Sequence, residues 1–174
     1  MSDRVPLLTA LGFAAMLAAV GPAGAADAAQ AAMLDAQGKS VGTIELRETP
    51  HGVLLLGKLV GLPPGPHAFH IHAVGKCEPP FASAAGHFNP GDRKHGFLVA
   101  EGSHAGDLPN LLVPASGALD FEMLARGVSL AAGGAGGLFD ADGSALVVHA
   151  GADDYKSDPA GNAGARIACG VLRQ

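Results

Sequence analysis

The sequence predicts an all-β domain, a small antiparallel sandwich or barrel with two long functional loops. Three observations carry that expectation. Glycine and proline, 26 and 12 of 174 residues, punctuate short apolar runs without forming a repeat. Ile44-Glu45-Leu46-Arg47 alternates apolar and polar side chains, as a strand with one solvated face does. Beyond the first 25 residues, few segments show the 3.6-residue period of a helix.

The chain opens on a segment that does not belong to that domain. Arg4 and the amino terminus give a weakly positive start, Val5 to Val20 is almost wholly apolar, and Ala23-Gly24-Ala25 offers a small-residue cleavage site. This is the pattern of a secretory signal peptide. A membrane anchor is the alternative, but the apolar run of about 16 residues is short of the roughly 20 that span a bilayer. Residues 1–25 are therefore expected to be removed, leaving a domain over 26–174 in a periplasmic or secreted protein. No later segment is apolar for long enough to cross a membrane.

Strands are expected at 29–35, 42–48, 53–60, 67–73, 118–124, 144–149 and 166–172. Turn chemistry separates them at Asp35-Ala36-Gln37-Gly38, at Leu62-Pro63-Pro64-Gly65-Pro66 and at Asp142-Gly143. Residues 74–109 and 151–164 do not read as strand. Loops of that length in a compact domain are usually functional or disordered, and both hold candidate site residues.

The formal charge of −5 is unchanged by removing the leader, which carries one Asp and one Arg, and it argues against nucleic-acid binding. Cys77 and Cys169 are the two cysteines. Export to an oxidising compartment implies that they pair, the alternative being two separate buried thiols. Pairing would close a loop of about ninety residues, worth roughly 4 kcal/mol in the chain-entropy model.

Six of the eight histidines fall into two groups. His70-Ile71-His72 places two imidazoles on one face of a strand, with Phe69 and Ile71 on the other. His149 ends the apolar run Leu146-Val147-Val148, and His87 sits in the turn-rich Gly86-His87-Phe88-Asn89-Pro90. His87, His95, His104 and Asp107 follow one another at separations of eight, nine and three, three histidines and a carboxylate that make a complete tetrahedral zinc set. A polar loop with surface histidines is the bland alternative. His70, His72 and His149 are one nitrogen short of the tetragonal field that Cu(II) prefers. His87 could complete either set, and an imidazolate with a metal on each nitrogen would complete both.

Other features read blandly. His51 and His67 lie outside the pattern and are expected at the surface or at strand ends. Gly133-Gly134-Ala135-Gly136-Gly137 lacks the Gly-Lys-Ser/Thr of a phosphate loop and is expected to be a flexible turn. Asp140-Ala141-Asp142-Gly143 lacks the spacing and final Glu of an EF-hand and is expected to be a hairpin turn.

The chain resembles the bacterial, exported copper/zinc superoxide dismutases. The likeness rests on Phe69-His70-Ile71-His72, Gly86-His87-Phe88-Asn89-Pro90, Lys94-His95-Gly96, His104-Ala105-Gly106-Asp107-Leu108-Pro109-Asn110, Leu146-Val147-Val148-His149 and Gly161-Asn162-Ala163-Gly164-Ala165-Arg166-Ile167-Ala168-Cys169-Gly170. These segments span nearly all of the domain, in the family's order and spacing. The resemblance implies a Greek-key, immunoglobulin-like β-sandwich or barrel. It implies copper on His70, His72, His87 and His149, zinc on His87, His95, His104 and Asp107, and His87 as the bridge. It matches Cys77 and Cys169 to the family disulfide, Arg166 to the arginine beside copper, and Asp153 to the carboxylate linking a copper ligand to a zinc ligand. Lys156, in Asp153-Asp154-Tyr155-Lys156, is the implied steering cation. Ala160 departs from the threonine that narrows the channel in eukaryotic members.

The implied reaction is disproportionation of superoxide to oxygen and hydrogen peroxide. Copper alternates between two oxidation states, zinc serves as scaffold, His87 carries a proton and Arg166 holds the anion. The partner is then the superoxide anion, with no nucleic acid and no stable membrane span, in a monomer or homodimer. A metal-storage domain on the same fold is a second reading, against which an anion-docking arginine argues. A zinc hydrolase is a third; no base or nucleophile stands apart from the ligands.

Overall fold

The computed structural model describes Met1 and residues 27–174, so the expected leader lies, but for its first residue, outside the described residues. Nine strands carry the fold: β1 (Ala28–Asp35), β2 (Ser40–Thr49), β3 (Gly52–Leu59), β4 (Gly65–His67), β5 (Phe69–His72), β6 (Leu111–Val113), β7 (Leu119–Ala125), β8 (Ala145–His149) and β9 (Arg166–Arg173). One 3₁₀ turn, Ala82–Ala84, is the sole helical element among the described residues.

The first three strands follow from their alternation. Ala29, Ala31 and Met33 of β1, Ile44 and Leu46 of β2, and Val53, Leu55 and Leu59 of β3 are all buried, while their neighbours face solvent. Asp35 closes the first hairpin by accepting hydrogen bonds from the backbone N–H groups of Gln37 and Lys39, each at 2.9 Å.

Seven strands form one antiparallel sheet in the order β5-β8-β9-β1-β2-β3-β7, and β4 pairs with β6. The pairs β1–β9, β3–β7 and β5–β8 join strands distant in sequence, as Greek-key connections do. The sheet curls on itself. Phe69 of β5 and Phe121 of β7, from the two ends of the sheet order, meet edge-to-face with centroids 5.6 Å apart. The apolar core lies inside that curl.

β5 and β8 differ from the rest, because every residue in both is buried. Their register pairs Phe69 with Val148 and Ile71 with Leu146 on the face that joins the main core. The opposite face carries His70, His72 and His149 next to a satellite cluster of Phe81, Ala84, Ala145, Val147 and Cys169. Long loops cover that second face. Cys77 and Cys169 are disulfide-bonded, with Cα atoms 5.6 Å apart and a sequence separation of 92, which staples the 74–85 segment onto β9.

The expected strands at 29–35, 42–48, 53–60, 118–124, 144–149 and 166–172 all have counterparts. The expected strand at 67–73 is instead two, broken at Ala68, where the chain leaves β4 for β5. β6 was not expected, since three residues are too few to display a period. The two long segments without strands are as read, and a third, 126–144, joins them. The turn at Asp140 is closed by the Gly143 N–H donating to the Asp140 carboxylate at 3.0 Å, but no strand precedes it, so it is not a hairpin.

Candidate metal centre

Strand parity puts His70 and His72 on one face of β5, and antiparallel pairing lays β8 beside it with His149 on the same face. The loop reaches the other edge of β5 through backbone pairing. Ile71 N–H donates to Gly106 C=O at 2.9 Å, Phe88 N–H to Ile71 C=O at 2.8 Å, and Ala73 N–H to Gly86 C=O at 2.9 Å. His87 thereby comes to lie opposite His72, and Asp107 opposite His70. Gly106 is required by this close approach, for a Cβ there would strike the Ile71 carbonyl and the Phe88 backbone.

Two groups of potential metal-ligand atoms result, each mutually within 4.8 Å: His70, His72, His87 and His149, and His87, His95, His104 and Asp107. All seven residues are buried. In the first group, His70 Nδ1, His72 Nε2, His87 Nε2 and His149 Nε2 have no hydrogen-bond partner. Four orphaned nitrogens converging in a buried site fit a copper ion, because a buried polar atom is otherwise paired. In the second group, Asp107 Oδ1 stands 2.9, 3.0 and 3.2 Å from the Nδ1 atoms of His87, His95 and His104. Three imidazoles around a carboxylate are a donor set that suits zinc.

Other ring nitrogens are anchored. His70 Nε2 lies 2.8 Å from Asp153 Oδ2 and His95 Nε2 lies 3.0 Å from Asp153 Oδ1, so one buried carboxylate ties a ring of each group. A Cβ at Gly161 would collide with that carboxylate and with the His95 ring. His72 Nδ1 donates to Ala85 C=O at 2.9 Å. Asn110 fixes the loop that carries Asp153, accepting from its N–H at 2.8 Å and donating to its C=O at 3.0 Å.

Burial, with the His87 charge next, pushes His72 down to about 2. Burial, with the Asp107 hydrogen bond opposing it, lowers His87 to about 4. Burial and the His70 charge lower His149 to about 3. These rings are neutral at pH 7, as metal ligands must be. Burial alone would raise Asp107, but bonds from His87 and the Gly96 N–H hold it well below the usual carboxylate range. Asp153 behaves likewise: bonds from His70 and His95 outweigh its burial and bring it to about 2.

Arg166 begins β9 beside these rings. Its guanidinium donates to Phe81 C=O at 2.6 Å and to Ala85 C=O at 2.5 Å, and its charge is felt by both His72 and His149. Lys156 is exposed, its N–H bonded to Asp154 at 2.9 Å, and no side-chain contact ties it to the histidines. His149 lines an open cleft of about 350 Å³ together with Ala160, Asn162 and Gly164. A larger cleft of about 490 Å³ lies on the outer face of β2, β3 and β7, among Glu45, Arg47, Lys58 and Asp120, with none of this chemistry. His51 is exposed, and His67 ends β4, as the expectation of a surface or strand-end place allowed, but His67 is buried, at 3% exposed, with a carbonyl oxygen 2.8 Å from each ring nitrogen. Its position among prolines hid this, for burial of β4 depends on distant segments.

Comparison with known proteins agrees with the geometry. The family model "copper/zinc superoxide dismutase" matches residues 40–172. A protein named superoxide dismutase [Cu-Zn] 2 from Aquifex aeolicus is 52% identical over 147 residues, covering 83% of this chain and 86% of that one. The crystal structure of a double mutant of a superoxide-dismutase-like protein from Bacillus subtilis aligns with a TM-score of 0.81 at 44% identity, over 83% of this chain and 97% of that one. The copper/zinc superoxide dismutase of Brucella abortus aligns with a TM-score of 0.66 at 31% identity, over 84% and 99%. A chain with this curled sheet, these two histidine groups and these relatives belongs to the copper/zinc superoxide dismutase family.

Proposed function

We propose that the protein disproportionates superoxide to oxygen and hydrogen peroxide, using copper at His70, His72, His87 and His149 and zinc at His87, His95, His104 and Asp107. The observation that carries this is the shared ring: His87 Nε2 is one of the four orphaned nitrogens, while His87 Nδ1 lies 2.9 Å from Asp107 in the second group. When bound, copper supplies the electron exchange, and zinc, which has no redox chemistry, holds the loop.

The chain's own residues do the rest. Arg166 stays charged at every relevant pH and docks the superoxide anion next to His72 and His149. Its two carbonyl bonds fix the direction of the guanidinium. His87 takes up a proton at Nε2 in one half of the cycle and gives it to the forming peroxide in the other, with the second proton coming from water. Asp153 orients His70 and His95 together, so that the two groups keep one geometry. Lys156 raises the local anion concentration on a net-negative protein, by the electrostatic steering for which superoxide dismutases are a standard example. Ala160 leaves the cleft at His149 wider than a threonine would.

Residues 1–25 act as an export signal, and the domain 26–174 works in the periplasm or outside the cell, as a monomer or homodimer. The apolar leader and the Cys77–Cys169 disulfide support this. No helix among the described residues is long and apolar enough to cross a membrane. Amino-terminal sequencing of the exported form tests the cleavage.

The decisive assay loads the purified protein with both metals and measures superoxide decay against salt concentration. Fast decay that slows as salt rises is the expected result. A fully loaded protein with no activity would assign it to metal storage instead.

A further inference from the structure

A third cleft, of about 400 Å³, lies against His104, between the loop that carries the second histidine group and the strandless segment 126–144. Arg93 and Arg126 line it together with Asn89, Ser103 and Ala135, and no carboxylate does. Asp92 adjoins Arg93 in the chain but is not part of the lining. Among the described residues, neither arginine stands within 4.0 Å of a carboxylate, and the arginine side chains that donate hydrogen bonds are Arg47 and Arg166. The cleft on the outer face of the sheet is different. There Arg47 pairs with Glu45 at 3.1 Å, and Asp120 and Glu122 share the lining. On a chain of formal charge −5, a cleft with two cations and no anion reverses the local sign.

Both arginines stand on fixed backbone. The Asn89 carboxamide closes the turn Asn89-Pro90-Gly91-Asp92-Arg93, accepting from the Arg93 N–H at 3.0 Å and donating to the Arg93 C=O at 2.8 Å. Arg126 leaves the end of β7, whose ladder with β3 runs as far as Ala125. The glycine-rich run 133–137 supplies the remaining wall. Ser129 N–H donates to Gly136 C=O at 2.8 Å and Leu138 N–H to Ser129 C=O at 2.9 Å, which folds the run back onto residues 127–129. A Cβ at Gly136 would stand 2.7 Å from the Gly127 carbonyl oxygen, so this closure needs glycine there. Ala135 thereby reaches the cleft. A long segment without strands is usually functional, and 126–144 has no part in either histidine group.

We propose that this cleft is a second anion site, separate from the cleft at His149, which takes a phosphate group on Arg93 and Arg126. A guanidinium presents its donors in a planar fork that matches phosphate oxygens, and two of them with no competing carboxylate suit a multiply charged oxyanion. Because the arginines hang from a clamped turn and a strand end, little ordering is required on binding. The cleft has room for more than the phosphate itself, and no Phe or Tyr lines it to stack a base. The group is therefore either free phosphate or the phosphate of a small polar ester. The assignment does not depend on the superoxide reaction.

The test is calorimetric titration of the whole protein, loaded with copper and zinc, at low salt with inorganic phosphate and with glycerol 3-phosphate. Arg166 also attracts anions, so the titrations are repeated in Arg166→Ala, Arg93→Ala, Arg126→Ala and Arg173→Ala. One saturable event should survive Arg166→Ala and weaken by about tenfold in Arg93→Ala and in Arg126→Ala, the lower end expected for hydrogen bonds to a charged group. Arg173→Ala, which removes an exposed arginine from another part of the surface, should leave it unchanged. Stronger binding of the ester assigns the site to a phosphorylated small molecule, and stronger binding of inorganic phosphate assigns it to the free ion. No saturable binding, binding that disappears in Arg166→Ala, or an equal loss in Arg173→Ala would overturn the proposal. Should either cleft variant not fold, nitrogen-15 spectra of the wild-type protein with copper reduced decide. The Nε resonances of Arg93 and Arg126 are expected to move with phosphate while that of Arg47, held by Glu45, stays. Unmoved Arg93 and Arg126 resonances would overturn the proposal.

Discussion

The two histidine groups share a ring yet are built in opposite ways. Three residues of the first, His70, His72 and His149, stand on β5 and β8, whose backbones are fixed by ladder bonds and whose reverse face is core. Its four free nitrogens converge without touching a partner. The second is drawn from one loop between residues 87 and 107, and its members bond to one another through Asp107. Strands hold the first group open, whereas the second holds its own loop together. A redox site gains from a frame that does not move between states, and a scaffold site gains from ordering chain that lacks secondary structure.

The largest test of that contrast is Asp107→Ala. It removes the oxygen around which three imidazoles gather, so zinc affinity should fall by at least ~100-fold, beyond the range for residues that only orient ligands. Unchanged zinc content on metal analysis would show that the loop is not organised as described. Arg166→Ala should slow turnover by about 10- to 150-fold, the equivalent of roughly 1.5–3 kcal/mol for hydrogen bonds to a charged group, with both metals retained. Copper loss in that variant would mean that Arg166 supports the ligands and does not dock the anion.

Selective metal removal sharpens the comparison. Zinc extraction should raise amide exchange across residues 87–107, while copper extraction should leave β5 and β8 protected. Equal loosening of both regions would erase the distinction.

A smaller effect concerns pH in the metal-free protein. Histidines titrate near 6.5 in an unfolded chain. His87, His149 and His72 are held by burial at about 4, 3 and 2 in the folded one. Below pH 6.5 the unfolded state therefore binds more protons, and stability falls as pH drops towards 4 and below. Asp107 and Asp153, both depressed, lose their stabilising contribution in the same direction, below the ordinary carboxylate range. Thermal unfolding of chelated protein from pH 7 to pH 3 should show a monotonic decline. A plateau down to pH 4 would place these rings in solvent.

Much of this is legible in the sequence. Alternation at Ile44-Glu45-Leu46-Arg47 marked β2, and the His-x-His parity put His70 and His72 on one face because side chains in a strand repeat every two residues. The separations of eight, nine and three grouped His87, His95, His104 and Asp107 within a single loop. Two cysteines and the expectation of an export leader pointed to one disulfide. Less accessible were β6, too short to show a period, and the break at Ala68. His67 ends a strand, one of the two places expected for it, but its burial was not legible, because its partners Pro63 and His149 lie four and 82 residues away.

The sequence by itself determined residue types, local period and the order of the candidate ligands along the chain, since these depend on neighbours within a few positions. Only the tertiary structure decided that Asp153 reaches His70 and His95 at once, that Arg166 meets the carbonyls of Phe81 and Ala85, and that the buried His67 ring reaches the carbonyl of His149. Each of those contacts joins segments more than fifty residues apart. Spacing along a strand says which face a side chain occupies, but not which distant loop comes to lie over it.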